Sequence, residues 1–173
     1  MADDTTSSPA GSPTAGEGMA AEDMAAGDMT AEDAALQDAL AAVHVAIWGY
    51  GVVGAALPPE SRDAVVACEL AHLDLRDQLV ALLSARGVEP VDDEPGHVLP
   101  FPVLSPVDAA ALAVVLEEGA SATWTWVLDQ ASERSTRVLA VAALSAAELR
   151  AVDWRALTGR TPPTSAFPGL PQA

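Results

Sequence analysis

Apolar residues recur every three to four positions along four long stretches of this chain, which is the period of an amphipathic α-helix. The first predicted helix covers residues 31–57, because Thr30 is a good N-cap residue and the pair Pro58-Pro59 cannot continue a helix. The second predicted helix follows that pair and ends at Gly87, since glycine favours the backbone conformation that terminates helices. These two helices are predicted to form a hairpin.

Two more helices are predicted in the second half. Ser105 is a candidate N-cap and Pro106 suits the first helical position, so the third helix begins there and continues to a break at residues 129–135. The fourth helix ends near residues 157–159. Residues 88–105 contain four prolines and are predicted to form an extended crossover. The fold class is therefore all-α, with two antiparallel helical hairpins joined by a long Pro-rich crossover, which is the connectivity of a ferritin-like four-helix bundle.

The chain divides into three predicted parts. Residues 1–30 are almost devoid of large apolar side chains and are predicted to be a disordered, acidic, low-complexity tail. Residues 31–159 form the bundle, and residues 160–173 form an extended Pro-rich C-terminal tail. Because a five-residue repeat begins with methionine, the true start is left open among Met1, Met19, Met24 and Met29.

The helical period also predicts which faces are buried. In the second helix the predicted core stripe contains Val65, Glu69, His72, Arg76, Leu79 and Leu83. In the fourth helix the predicted core stripe contains Val138, Val141, Ala142, Ser145, Leu149 and Val152.

The stripe of the second helix contains the main candidate for chemistry. Glu69 and His72 are three residues apart, so both side chains lie on one helix face that is otherwise apolar. Ferritin-like di-iron proteins use this Glu-x-x-His pair twice, together with one further Glu from each of two other helices. In this chain the pair occurs once, because Ala151 stands three residues after Glu148 where the second histidine belongs.

Five residues are expected near one level of the bundle, since each is about 14–20 Å from its helix end. They are His44, Glu69, His72, Glu117 and Glu148. The leading interpretation is a metal-free polar core in which Arg76 neutralises Glu69 or Glu117, with Glu148 as a further polar partner. The alternatives are a single divalent ion on His44, Glu69, His72 and Glu117, or a working two-metal centre with iron or manganese. His97, in the crossover, is predicted to be exposed to solvent.

The charge and composition of the chain disfavour several classes of binding partner. The net charge is −17 and all eight basic residues are Arg, so nucleic acid and anionic membrane surfaces are disfavoured. The single cysteine, Cys68, is predicted to be a small buried hydrophobe. No secretory signal is visible, and the uncharged stretch 39–59 is interpreted as a core helix; a cytoplasmic location is therefore predicted.

Several short motifs resemble an actinobacterial ferritin-like family of unknown function. They are His44 with Tyr50-Gly51-Val52, His72 with Arg76-Asp77, Leu99-Pro100-Phe101-Pro102-Val103, Leu116-Glu117-Glu118-Gly119, Trp154-Arg155 and Phe167-Pro168-Gly169-Leu170. The resemblance covers residues 36–170. Family members often have an acid before the first histidine, whereas Val43 occupies that position here. The resemblance implies a fold and supplies no reaction.

The leading functional hypothesis is a non-enzymatic binding or assembly module with an incomplete metal site. The alternative is an iron- or manganese-binding redox protein of the di-iron carboxylate type with a reduced ligand set. A homodimer or an unidentified protein partner is left open.

Overall fold

The computed structural model describes residues 29–170, which form four α-helices and no strand. Helix α1 spans Ala31–Ala56, α2 spans Arg62–Ala85, α3 spans Pro106–Gln130 and α4 spans Arg134–Leu157. A single short 3-10 helix, Pro59–Ser61, precedes α2. The prediction of an all-helical chain with four helices is confirmed. The predicted N-terminal tail, apart from residues 29 and 30, lies outside the described residues.

The helices begin and end at the residues that local chemistry favours. The Thr30 hydroxyl accepts a hydrogen bond of 3.0 Å from the Asp33 amide, and Ser105 does the same for the Asp108 amide at 3.2 Å. These caps satisfy backbone donors that a helix start leaves without partners. Gly87 follows α2 with a φ of 74°, a left-handed conformation that residues with a side chain rarely adopt.

Contacts between helix ends establish the directions of the helices. Helix α1 packs closely on both α2 and α3, and α3 packs on α4. Arg86, after the end of α2, pairs with Asp33 at the start of α1, so these two helices are antiparallel. Glu32 at the start of α1 accepts a hydrogen bond of 2.5 Å from Thr136 at the start of α4, so α1 and α4 are parallel.

Glu32 also closes the break between α3 and α4. Its buried carboxylate accepts hydrogen bonds from the backbone amides of Ser132 and Glu133 at 2.8 and 3.1 Å. Burial by itself raises the pKa of Glu32, but the bonds from Ser132 and Thr136 outweigh it and lower the pKa to about 2. An ionised carboxylate is favourable here because it lies at the N-terminal end of α4 and accepts from the two backbone amides that directly precede this helix.

The segment between α2 and α3 contacts α1 at two places. Near its beginning, Gln37 of α1 bonds the Glu89 carbonyl at 2.5 Å and the Val91 amide at 2.8 Å. Further along, the rings of Trp48 and His97 pack 5.3 Å apart.

The core consists of two apolar clusters with a polar layer between them. One cluster contains Leu36, Leu40, Leu79, Leu83, Trp124 and Val127. The other contains Tyr50, Val53, Val65, Leu112, Leu116 and Trp154, with Leu99 and Phe101 of the connecting segment packed against it. Helix α1 is also long and apolar enough to cross a membrane by length and composition, a property that core helices share. Its large buried apolar residues, among them Leu36, Leu40, Tyr50 and Val53, belong to these two clusters.

Helix α4 buries a different face from the one predicted. Val138, Val141 and Leu149 are 62%, 53% and 70% exposed. The buried residues of α4 are Thr136, Ala140, Ala143, Ala147, Ala151, Trp154 and Arg155. The prediction was wrong because it placed the largest apolar residues of α4 on the inner face. In the structure alanines occupy that face, and their small side chains let α4 approach α3 closely.

Candidate functional site: a buried carboxylate between four helices

Glu117, in the middle of α3, is completely buried. A carboxylate without partners in such an environment would be strongly destabilising, because it loses its hydration. Each of the other three helices supplies a partner. The site is therefore defined by what surrounds this one side chain.

Arg150 of α4 holds both carboxylate oxygens. Its Nε lies 2.8 Å from Oε1 and its Nη2 lies 2.9 Å from Oε2 of Glu117. This two-pronged geometry matches the planar guanidinium to the carboxylate and is among the strongest polar contacts in proteins. The side chain of Arg150 is 19% exposed, so only one end of the pair is near solvent.

Tyr50 of α1 and His72 of α2 complete the shell of Glu117. The Tyr50 hydroxyl donates to Oε1 at 2.6 Å, and it accepts a bond of 2.9 Å from the indole Nε1 of Trp154. His72 Nε2 lies 3.1 Å from Oε1. The other ring nitrogen of His72, Nδ1, is buried with no hydrogen-bond partner among the described residues. The carboxylate is thus bonded by groups from α1, α2 and α4.

These contacts fix the charges in the centre. Burial raises the pKa of Glu117, but the hydrogen bonds from His72 and Arg150 outweigh it and the net pKa is lowered. Burial and the nearby charge of Glu117 both raise the pKa of Tyr50, so it remains a neutral phenol that donates. For Arg150, burial lowers the pKa, but the bonds to Glu117 outweigh burial and the net pKa is raised. The result is one anion paired with one cation.

The sequence-predicted site residues only partly come together. His72 and Glu117 are in contact. Glu69 instead lines an outer groove between α1 and α2, together with Arg62. Glu148 is 3.3 Å from Arg155, a second buried arginine.

His44 also lies away from Glu117. It lines a cavity of about 210 Å³ beneath the connecting segment, and its Nε2 is buried with no partner among the described residues. His97 lines the same cavity with a side chain only 10% exposed, so its predicted solvent exposure was wrong. Packing against Trp48 is what buries it.

The cation in the centre comes from α4, whereas the sequence analysis placed Arg76 of α2 there. Arg76 bonds its neighbour Asp77 at 2.7 Å, and its side chain is 35% exposed. The reason is geometric: Arg76 is one turn beyond His72 and its long side chain turns outward to the surface.

Sequence reasoning missed Arg150, Tyr50 and Trp154 as members of the centre. One signal for Arg150 was available. It has Ala146 and Ala147 about one turn before it and Trp154 one turn after it, so it is an arginine beside an apolar surface of α4. Asp153, at i+3, offered a competing partner on the same helix, so this signal did not single out Glu117. Cys68, in contrast, is buried as predicted, and burial raises the pKa of its thiol.

A family model for a domain of unknown function, DUF4439, matches residues 35–172. The chain belongs to this family. Among solved structures, a similar one is the crystal structure of a conserved hypothetical protein, rv2844, from Mycobacterium tuberculosis, with 38% sequence identity and a TM-score of 0.72. The match covers 73% of this chain and 96% of that chain. No curated protein matches. The relation to ferritin-like proteins stays a prediction.

A ferritin-like relation implies a metal centre, and the donor set can be tested against one. In residues 29–170 no three side chains of the His, Cys, Asp and Glu types are placed to hold one ion. Both oxygens of Glu117 already bond Arg150, and Glu69 lies in a different groove. In this arrangement the residues do not fit a two-metal centre.

Proposed function

We propose that this chain is a non-enzymatic, ferritin-like helical bundle that acts as a binding or assembly module, with Arg150 in the place of a metal. The observation that carries the proposal is the two-pronged bond of Arg150 to Glu117, at 2.8 and 2.9 Å. A guanidinium supplies the positive charge that this buried carboxylate requires, which is the role a metal ion has in the complete site.

The directions of the helices support the ferritin-like part of the proposal. Helix α1 is antiparallel to α2 and parallel to α4, as in two hairpins joined by a crossover. The segment 86–105 contacts Gln37, then Trp48, and then packs through Phe101 on the second core cluster. This path from one end of α1 towards the other is the one a lengthwise crossover would follow.

The polar centre supports a structural role. The Tyr50 hydroxyl, both oxygens of Glu117 and the indole of Trp154 are all engaged with one another or with Arg150. With His72 of α2 bonded to Glu117, this connected network holds four helices in one arrangement. A net charge of −17 supports the further proposals of a cytoplasmic protein without nucleic-acid or membrane partners.

The alternative is a metal-dependent redox protein with a reduced ligand set. It would require Arg150 to leave Glu117, and Glu69 or His44 to reach the centre from the outer cavities they line. The two functions therefore predict opposite responses to metal.

The test uses protein purified without an affinity tag. Metal content is measured, and the melting temperature is recorded with a chelator and with Fe(II), Mn(II) or Zn(II). The proposal expects no stoichiometric ion and no shift at submillimolar metal. Stabilisation by metal that both Glu117→Gln and His72→Ala abolish would overturn it and establish the alternative. Asp129→Asn, at an exposed carboxylate near the end of α3 and away from all candidate ligands, is the matched control.

A further inference from the structure

The outward face of α4 exposes large apolar side chains. The inner surface is largely alanine, whereas Val138, Val141 and Leu149 point outward. Residues 138–147 include no charged side chain, although the chain has a net charge of −17. Leu149 is the most exposed large apolar residue on any helix of the described chain, at 70%. A helix of this kind leaves apolar area in water that a partner would cover.

The same face contains a recess of the type that receives a side chain from another helix. Arg134, Arg137, Val138 and Val141 are spaced i, i+3, i+4 and i+7, and with Ala142 they line a surface recess of about 520 Å³. In coiled coils, four residues with this spacing form the hole into which an apolar residue of the facing helix inserts.

The face is also complementary to itself. If Leu149 of one copy enters the recess of a second, antiparallel copy, Asp153, one turn further on, lies opposite Arg134. Arg134 and Asp153 are both exposed, and neither has an ionic partner among the described residues. A two-fold axis repeats both contacts, since the same patch serves on each side. This charge complementarity selects a second copy of the chain as the partner.

We propose that the outward face of α4, defined by Arg134, Val138, Val141, Leu149 and Asp153, is the interface of an antiparallel homodimer. This inference rests on the assembly role proposed above, and it identifies the binding partner as a second copy of the chain. One helix pair buries little area, so the association is weak and reversible. Because each copy is strongly negative, added salt screens their repulsion and strengthens the dimer.

The test is sedimentation velocity of the full chain over a concentration series, at low and high salt. Leu149→Arg places a third positive charge beside Arg134 and Arg137 of the partner's recess and is expected to weaken association at least about tenfold. Its melting temperature should remain that of the wild type, because the side chain is exposed in the monomer. Leu70→Arg, at a 54% exposed position on α2, is the matched control and should leave association unchanged.

A charge exchange identifies the partner as a second copy. Arg134→Glu and Asp153→Arg should each weaken the dimer, and the double variant should restore it, because the pair is re-formed with reversed polarity. A chain that is monomeric at every concentration overturns the inference. So does a dimer that Leu149→Arg leaves intact, or one that the double variant fails to restore. None of these results depends on whether Glu117 binds a metal. The dimer and the proposed function can therefore be refuted independently.

Discussion

Arg150→Leu removes the guanidinium that bonds both oxygens of Glu117 and leaves the carboxylate buried. The two charge-assisted bonds of 2.8 and 2.9 Å are lost, while the bonds from Tyr50 and His72 remain. Breaking one side of a buried pair lowers the free energy of unfolding by about 3–5 kcal/mol. Leucine keeps part of the apolar stem of the arginine, so the loss is expected to come mainly from the stranded charge.

The assay is urea or guanidinium unfolding at pH 7, with the m value checked to be unchanged. Glu117→Gln should lower stability by about 1–3 kcal/mol, because the amide keeps some hydrogen bonds and Arg150 can turn to solvent. The double variant should lose less than the sum of the two, with a coupling of about 2–3 kcal/mol. Arg76→Leu, the matched surface control, should change stability by less than about 1 kcal/mol.

The pH dependence provides an independent readout. In the wild type the pKa of folded Glu117 is lowered, so its contribution is present above its ordinary pKa of 4.5 and is lost as the pH falls. In Arg150→Leu burial raises that pKa, so the variant regains stability relative to wild type as the pH falls from neutrality. A loss below about 1 kcal/mol, or a penalty independent of pH, would refute the assignment of Arg150 as the compensating charge.

Three further outcomes are expected. Tyr50→Phe removes the donor to Glu117 and the acceptor for Trp154, and should lower the free energy of unfolding by about 1–2 kcal/mol in the same assay. Phe101→Ala should cost about 2 kcal/mol because the ring is partly buried against the second core cluster; Val98→Ala, at a 94% exposed position of the same segment, should be neutral. The pKa of Glu32 is lowered from 4.5 to about 2, so its contribution is complete above pH 4.5 and is lost as the pH falls towards 2. The stability difference between wild type and Glu32→Gln should shrink over that range, and a constant difference would contradict the role of the buried carboxylate.

The four helices follow from local chemistry that the sequence displays. Thr30 and Ser105 cap helices, Pro58-Pro59 ends one, and Gly87 supplies the left-handed conformation after another. These signals act within a few residues, so they can be read without knowing the tertiary structure. His72 and Glu117 were also foreseeable, since each is a polar residue on an apolar helix face.

The partners across the bundle were decided by the tertiary structure. Arg76 is next to His72 along the sequence, yet Arg150, on another helix, reaches Glu117. Helical period states which residues share a face of one helix, but the rotation of that helix against its neighbours depends on contacts between distant segments. In α4 the Val and Leu residues predicted one inner face. In the structure the inner face is instead the one that carries the alanines, Arg150 and Trp154. Close alanine packing and a satisfied buried charge outweigh the burial of a few more apolar side chains, because a stranded carboxylate destabilises the core more than an exposed valine does.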